Sequence, residues 1–355
     1  MSLFSSIRTQ YLSWSRDTPL PSLSDAAVEF QSWHKFDNSI SSWVRVKREN
    51  AAHGVEQAST ARPATVSPLV LATWNIDATS KWPERRTDAI LSHISSLDPA
   101  PDIIFLQEVP RASLHFLMKD SRVRKSWFLS EADESAWGTQ SFTTVTLLSN
   151  SRFGDGSGGP SQATIGPVWR VRYPSRFSRD ALCADVFVPF AHNTSHTRIR
   201  LINVHLDSLP IQPSLRPRQV EIVASLLRCA GRGVVAGDFN PVLPDDDALL
   251  RSNGLQDVWL ELHGDETGFT WGTDGKQPFP PSRLDKVAML GLRARDIGIV
   301  SPGFITKIAP GDKPSERNIT AEDEFVETQQ DTNPGGNSIQ WSDHSGLVCC
   351  FETVS

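Results

Sequence analysis

Short apolar runs, each closed by a polar residue, recur along most of this chain. Leu69-Val70-Leu71-Ala72-Thr73-Trp74 is followed by Asn75, and Ile103-Ile104-Phe105-Leu106 by Gln107-Glu108. Residues 199–206 make a third run with His205 near its end, and Val234-Val235-Ala236 leads into the corner Gly237-Asp238-Phe239-Asn240. Runs of this length predict buried strands, and polar groups at strand exits stand where sites on open sheets tend to form. Between them, Pro83-Glu84 opens a helix carrying Ile90, Leu91, Ile94 and Leu97 at helical spacing, and Val220, Val223, Leu226 and Leu227 mark another. Residues 142–148 form a Thr-rich strand, Leu182, Ala184, Val186 and Val188 alternate, and Asp257-Val258-Trp259 begins a helix or a strand. A strand over 283–290 and a closing one from Gly346 to Phe351 complete the pattern. Several strands follow one another without an intervening helix, which suits packed sheets better than a doubly wound sheet.

The organisation is read as two parts. Residues 1–67 are an extension, with Trp33, Phe36, Trp43 and Val46 suggesting partial order, that ends in an Ala/Ser/Thr/Pro-rich linker. Residues 68–355 form the main domain. Within it, 154–166 read as a surface insertion and 308–340 as an exposed polar excursion. Residues 1–16 hold Arg8 and Arg16 but no acid, and place Leu3, Phe4, Ile7, Tyr11 and Trp14 near one helical face. That fits a helix docking on the fold or a mitochondrial presequence.

Composition narrows the function classes. The balance of 35 basic against 41 acidic residues gives a net charge of −6, against a broad nonspecific nucleic-acid surface. Arg170, Arg172, Arg176 and Arg179 nevertheless predict a local basic patch. The four cysteines lack CxxC spacing, so a reduced intracellular protein without structural zinc is expected, in nucleus or cytoplasm with the mitochondrion as alternative. No apolar stretch is long enough to span a membrane. A monomer without an obligate protein partner is expected.

Taken singly, each polar strand-end residue is as well explained by a turn or cap as by a site. Their order carries more. Thr73-Trp74-Asn75, Gln107-Glu108, Asn203-Val204-His205-Leu206, Gly237-Asp238-Phe239-Asn240, Arg283-Leu284-Asp285 and Ser342-Asp343-His344 resemble the ordered signatures of the endonuclease/exonuclease/phosphatase superfamily. Within it the spelling is most similar to the 5′-tyrosyl-DNA phosphodiesterases, through Trp74-Asn75-Ile76-Asp77, His205-Leu206-Asp207-Ser208, Thr270-Trp271 and Asp343-His344-Ser345-Gly346. The resemblance covers the main domain and implies an α+β, DNase I-like fold: a four-layer αββα sandwich of two packed mixed β-sheets with helices outside. It implies hydrolysis of a phosphodiester at DNA 5′ ends carrying a tyrosyl adduct.

A phosphodiester is anionic, so its hydrolysis needs a cation, an oriented water and stabilisation of the charge that develops. Glu108 is an oxygen ligand suited to Mg2+, with Mn2+ as substitute, and Asn75 and Asp343 complete the expected metal set. Asp238 would activate water and Asn240 would donate to a phosphoryl oxygen. His344, held by Asp285, and His205 would stabilise the phosphate. Arg179, Ser208 and Trp271 resemble family positions that line the DNA path, so the resemblance implies them as substrate contacts, Trp271 as a stacking face, with Arg283 expected beside them. The chain departs from the family pattern at Pro241-Val242, where Leu-Arg is common, at Leu284, where an aromatic is common, and at Ser141, where Tyr is common. These departures bear on substrate, so another phosphodiester (an abasic site, a nucleotide or a phospholipid) and a catalytically silent binding relative are the competing readings.

Overall fold

The computed structural model describes residues 18–46, 68–135, 137, 140–155, 162–190, 193–306 and 338–353. Three short strands, β1 (Ala27–Gln31), β2 (His34–Asp37) and β3 (Ser42–Arg45), precede the first apolar run, which forms β4 (Leu69–Asn75). Helix α1 (Pro83–Ser95) crosses to β5 (Ile103–Pro110), followed by α2 (Arg111–Lys119), α3 (Ser121–Ser126), β6 (Trp127–Leu129) and β7 (Phe142–Ser149). Then come β8 (Phe153–Gly154), β9 (Ala163–Arg172), β10 (Ala181–Phe190) and β11 (Asn193–His205), and after α4 (Arg216–Ala230) the strand β12 (Gly233–Asp238). Helix α5 (Leu249–Ser252), β13 (Gln256–Asp257) and α6 (Val258–His263) lead to β14 (Asp285–Leu290) and β15 (Leu292–Val300). The small pair β16 (Phe304–Thr306) and β17 (Ser338–Gln340) precedes β18 (Gly346–Thr353).

The strands form two large mixed sheets. One runs β1-β9-β10-β11-β12-β14-β13 with β8 beside β9, the other β15-β18-β4-β5-β7-β6-β2-β3. Leu71, Ile103, Phe105 and Phe351 of the second sheet meet Leu182, Val186, Leu201 and Val234 of the first in one apolar layer. The opposite face of the first sheet is covered by Val220, Val223 and Leu227 of α4, and that of the second by Ile90, Ile94 and Leu114 of α1 and α2. This is the expected four-layer sandwich. Each sheet contains one parallel pair joined by a helix, β4 with β5 through α1 and β11 with β12 through α4, and both pairs deliver their strand ends to the same edge of the sandwich.

One polar bridge crosses the apolar layer behind that edge. The Gln107 amide donates to Thr73 Oγ1 (3.0 Å) and to Asn203 Oδ1 of the facing sheet (2.8 Å), and Asn203 Nδ2 returns bonds to the Leu106 and Val145 carbonyls (3.2 and 3.0 Å). Room for it depends on Gly237. A Cβ there would lie 2.0 Å from the Val204 carbonyl oxygen, and the residue has φ 135°, which side chains avoid.

The boundary expected at residue 67 moves. β1 pairs with β9, and β2 pairs with β6, so 27–45 supply edge strands to both sheets rather than a separate extension. Alternation in such half-exposed edges is too weak to mark them. The expected helix at 1–16 and the linker lie outside the described residues, as do 156–161 of the insertion and 307–337 of the excursion.

Candidate functional site

Four strand ends and one loop place the site. His205 ends β11, Asp238 ends β12 and Asp285 begins β14, and the three stand on one rung of the first sheet. Asn75 ends β4 opposite them. Glu108 is swung out of β5 at an irregularity between Leu106 and Val109, and takes a left-handed φ of 54° that a glutamate rarely adopts. That turn aims its carboxylate back at the end of β4 and the loop leaving it, where Oε2 accepts the Ala78 N–H (2.9 Å) and Oε1 lies 3.4 Å from Asn75 Nδ2. Ser342 Oγ donates to the Asn75 carbonyl (2.6 Å), and Trp74 Nε1 donates to the His344 carbonyl (2.9 Å), which ties the last loop to β4.

The polar groups converge. Asn75 Nδ2 donates to Asp238 Oδ2 at 3.0 Å, His205 Nε2 lies 3.5 Å from that oxygen and 3.8 Å from Glu108 Oε1, and His344 Nε2 lies 4.0 Å from Asp238 Oδ2. His344 Nδ1 is paired with Asp285 Oδ2 at 2.8 Å. Asn240, also left-handed at φ 46°, gives its N–H to Asp238 Oδ1 (2.9 Å) and one amide hydrogen to the Leu206 carbonyl (3.2 Å), leaving a second hydrogen to donate.

Burial sets the protonation. It pushes the Asp238 carboxyl up to about 7, against the pull of His344 and with the push of Asp285. His344 resists its burial because Asp285 and Asp238 face it, and its pKa stands well above the ordinary imidazole value. His205, buried and with Arg179 and His344 as cationic neighbours, is held well below it. Two histidines of one site are thus driven apart, one charged and one neutral at neutral pH.

Two groupings could hold a cation. Asp238, Asp285 and His344 have ligand atoms within 4.8 Å of one another. The 2.8 Å contact between two of them, His344 and Asp285, is a hydrogen bond in use. Glu108 offers a partly exposed carboxylate, an oxygen donor that suits a hard divalent ion. Asn75, expected also as a ligand, is turned the other way: its Oδ1 accepts the Asp77 N–H (3.0 Å) and its nitrogen faces the carboxylates, so it orients them. Asp343 is half-buried and accepts the Trp271 indole N–H (2.9 Å).

The expected substrate contacts divide. Arg179 comes to the site, its guanidinium 4.7 Å from the Phe142 ring centre, and Phe142 stacks on His205 at 6.2 Å. Ser208 is half-buried on the loop leaving β11. Trp271 is tethered to Asp343 and bridges by backbone to Ser282 and His344. Arg283 does not join them: both its terminal nitrogens are bonded to the Asp257 carboxylate at 2.9 Å, a helix-capping residue. The basic patch loses two of its four members, because Arg170 is buried between Glu131 and Asp180 and Arg172 pairs with Glu29. Sequence reasoning gives Phe142 and Thr270 no role at the site. Thr270 Oγ1 accepts the Asp285 N–H (3.1 Å), and its carbonyl accepts from Ser345 (2.7 Å). Its place beside Trp271 was the available signal.

A model of the Endonuclease/Exonuclease/phosphatase family matches residues 72–344. No curated protein sequence gives a significant match. Among solved structures, D. rerio TDP2 complexed with single-strand DNA product is similar at 21% identity and a TM-score of 0.56, covering 81% of this chain and 100% of that one. TDP2 from C. elegans is similar at 18% identity and 0.53, over 81% and 76%. ANGEL2, a 2′,3′-cyclic phosphatase, is similar at 13% and 0.50, over 81% and 95%. At these identities the likeness is one of fold.

Proposed function

Because the chain belongs to the endonuclease/exonuclease/phosphatase family and is a metal-dependent phosphoric ester hydrolase, we propose that it is a Mg2+-dependent phosphodiesterase removing 5′-tyrosyl adducts from DNA ends. The observation that carries the hydrolytic part is the meeting of Asn75, Glu108, His205, Asp238 and His344 between the two sheets. The tyrosyl part is supported by the ordered sequence words and by the fold shared with TDP2.

Glu108 would hold Mg2+, with Asp343 as an outer carboxylate acting through water, and the ion would supply positive charge at a phosphoryl oxygen. Asp238, with a pKa near neutrality, takes the proton of the attacking water as the new O–P bond forms. Asn75 fixes the Asp238 carboxylate through Oδ2, and Asn240 offers its second amide hydrogen to the phosphate. Charged His344 binds the oxygens on which negative charge grows, and neutral His205 adds a second contact. The departing tyrosyl oxygen has a pKa near ~10, so it leaves with little help from an acid. Arg179, on its aromatic support, lies beside His205 where the DNA or the leaving group would pass.

Pro241-Val242 and Ser141 favour a second reading, a relative acting on a different phosphodiester with the same chemistry. One preparation assayed on a 5′-phosphotyrosyl oligonucleotide, an abasic-site duplex, a 2′,3′-cyclic nucleotide and a phospholipid analogue separates them. Turnover of the first alone, abolished by EDTA and by Glu108→Gln or Asp238→Asn, is the expected result. Absence of tyrosyl release with turnover of another ester transfers the assignment to that ester.

A further inference from the structure

Two arginines are buried at the first turns of the helices that join the parallel pairs. Arg86 lies in α1 and Arg216 in α4, each 1% exposed, and each eleven residues beyond the last residue of its strand, Asn75 and His205. A cation near a helix N-terminus is opposed by the helix dipole, so other bonds must hold it there. Arg86 makes five. Nη1 donates to the carbonyls of Ile76 and Trp341 (both 2.7 Å), Nη2 to those of Asp77 (2.5 Å) and Ser80 (3.1 Å), and Nε to Lys81 (3.0 Å). The fork is thus fully spent on the loop leaving β4 and on the residue before Ser342-Asp343-His344. That loop carries Ala78, whose N–H holds Glu108, and Trp341 stands three residues before His344 in the chain. Arg216 does the matching work on the other sheet, where Nη1 donates to the carbonyls of Asp207 and Leu209 (2.7 and 3.0 Å) and Nε to Asp246 (2.8 Å).

We propose that Arg86 is a positioning residue that couples the orientation of the metal-holding Glu108 to that of His344, resting on the metal role proposed for Glu108. Its substitution therefore acts on cation affinity as well as on stability, whereas the equally buried Arg216 touches no part of the Glu108 loop. A lysine at 86 keeps the charge but presents a single ammonium to carbonyls that the guanidinium spans.

The test measures Mn2+ binding by electron paramagnetic resonance on EDTA-stripped full-length protein, with melting temperatures, for wild type, Arg86→Met, Arg86→Lys, Arg216→Met and Glu108→Gln. Arg86→Met is expected to weaken Mn2+ binding by about 10–100-fold, as loss of an outer-shell support does, with Arg86→Lys between it and wild type. Arg216→Met is expected to lower the melting temperature and leave Mn2+ affinity unchanged. Equal losses of affinity in Arg86→Met and Arg216→Met would overturn the proposal. So would unchanged affinity in a folded Arg86→Lys, the deciding variant if Arg86→Met does not fold. Unchanged affinity in Glu108→Gln overturns the metal assignment itself, a failure distinct from that of Arg86.

Discussion

Asp238→Asn is expected to make the metal-free protein more stable at neutral pH while abolishing hydrolysis. Burial raises the Asp238 carboxyl from the ordinary 3.8 to about 7. A carboxyl that ionises less readily folded than unfolded binds more protons in the native state, so its contribution falls as pH rises from 3.8 towards 7. At about 1.4 kcal/mol per pH unit, the cost over that interval is roughly 4 kcal/mol. Asparagine removes this cost and adds another. Asn75 Nδ2 and the Asn240 N–H both donate to Asp238, and an amide offers only one acceptor, so one donor faces another at about 1–3 kcal/mol. The net gain at neutral pH is then on the order of 1–3 kcal/mol. The offset cancels when two pH values are compared. Urea unfolding of wild type and variant in EDTA, at about pH 4.5 and about pH 8, should show the variant gaining roughly 3 kcal/mol on wild type between them. A difference that does not change with pH, or that shifts towards wild type as pH rises, refutes the assignment of Asp238 as a buried, reluctantly ionised group.

Gly237→Ala puts a methyl 2.0 Å from the Val204 carbonyl at a left-handed φ, and is expected to cost about 3 kcal/mol or more, read as a lower urea midpoint. Asp285→Asn leaves His344 buried without its carboxylate, so its pKa drops, and a kcat loss of about 10²–10⁴ at pH 8 should shrink as the pH is lowered. A loss independent of pH would mean that Asp285 acts only by shape. His34 is held down to about 4 by burial and by Arg45, so wild type loses stability as pH falls from 6.5 towards 4, by as much as about 3 kcal/mol. In His34→Gln the acid limb of the stability profile should flatten, as followed by thermal melts.

Legibility followed local chemistry. β4, β5 and β12 are buried along nearly their whole length, so their apolar runs stand out, and Asn75, Glu108, His205, Asp238, Asn240, Asp285 and His344 each lie beside an apolar run, marked by the order of the words that contain them. What depended on side-chain direction was not legible. Arg170 and Arg172 are close in sequence and both leave the expected patch, because each meets a carboxylate distant in the chain, Glu131 and Glu29. Arg283 matches a sequence word yet is claimed by Asp257, and most of the bonds made by the buried Arg86 and Arg216 go to backbone carbonyls, which no residue type announces.

The Thr73, Gln107 and Asn203 bridge bears on how such a chain can change its substrate. An apolar interface alone tolerates sliding, since one methyl replaces another at little cost. A polar key in one place does not, because any slip leaves amides without partners. The chemistry at the strand ends is therefore locked to the sandwich from behind, while the loops in front remain free to be rewritten. Pro241-Val242 and Ser141 lie in those front loops, outside the strands that the lock holds.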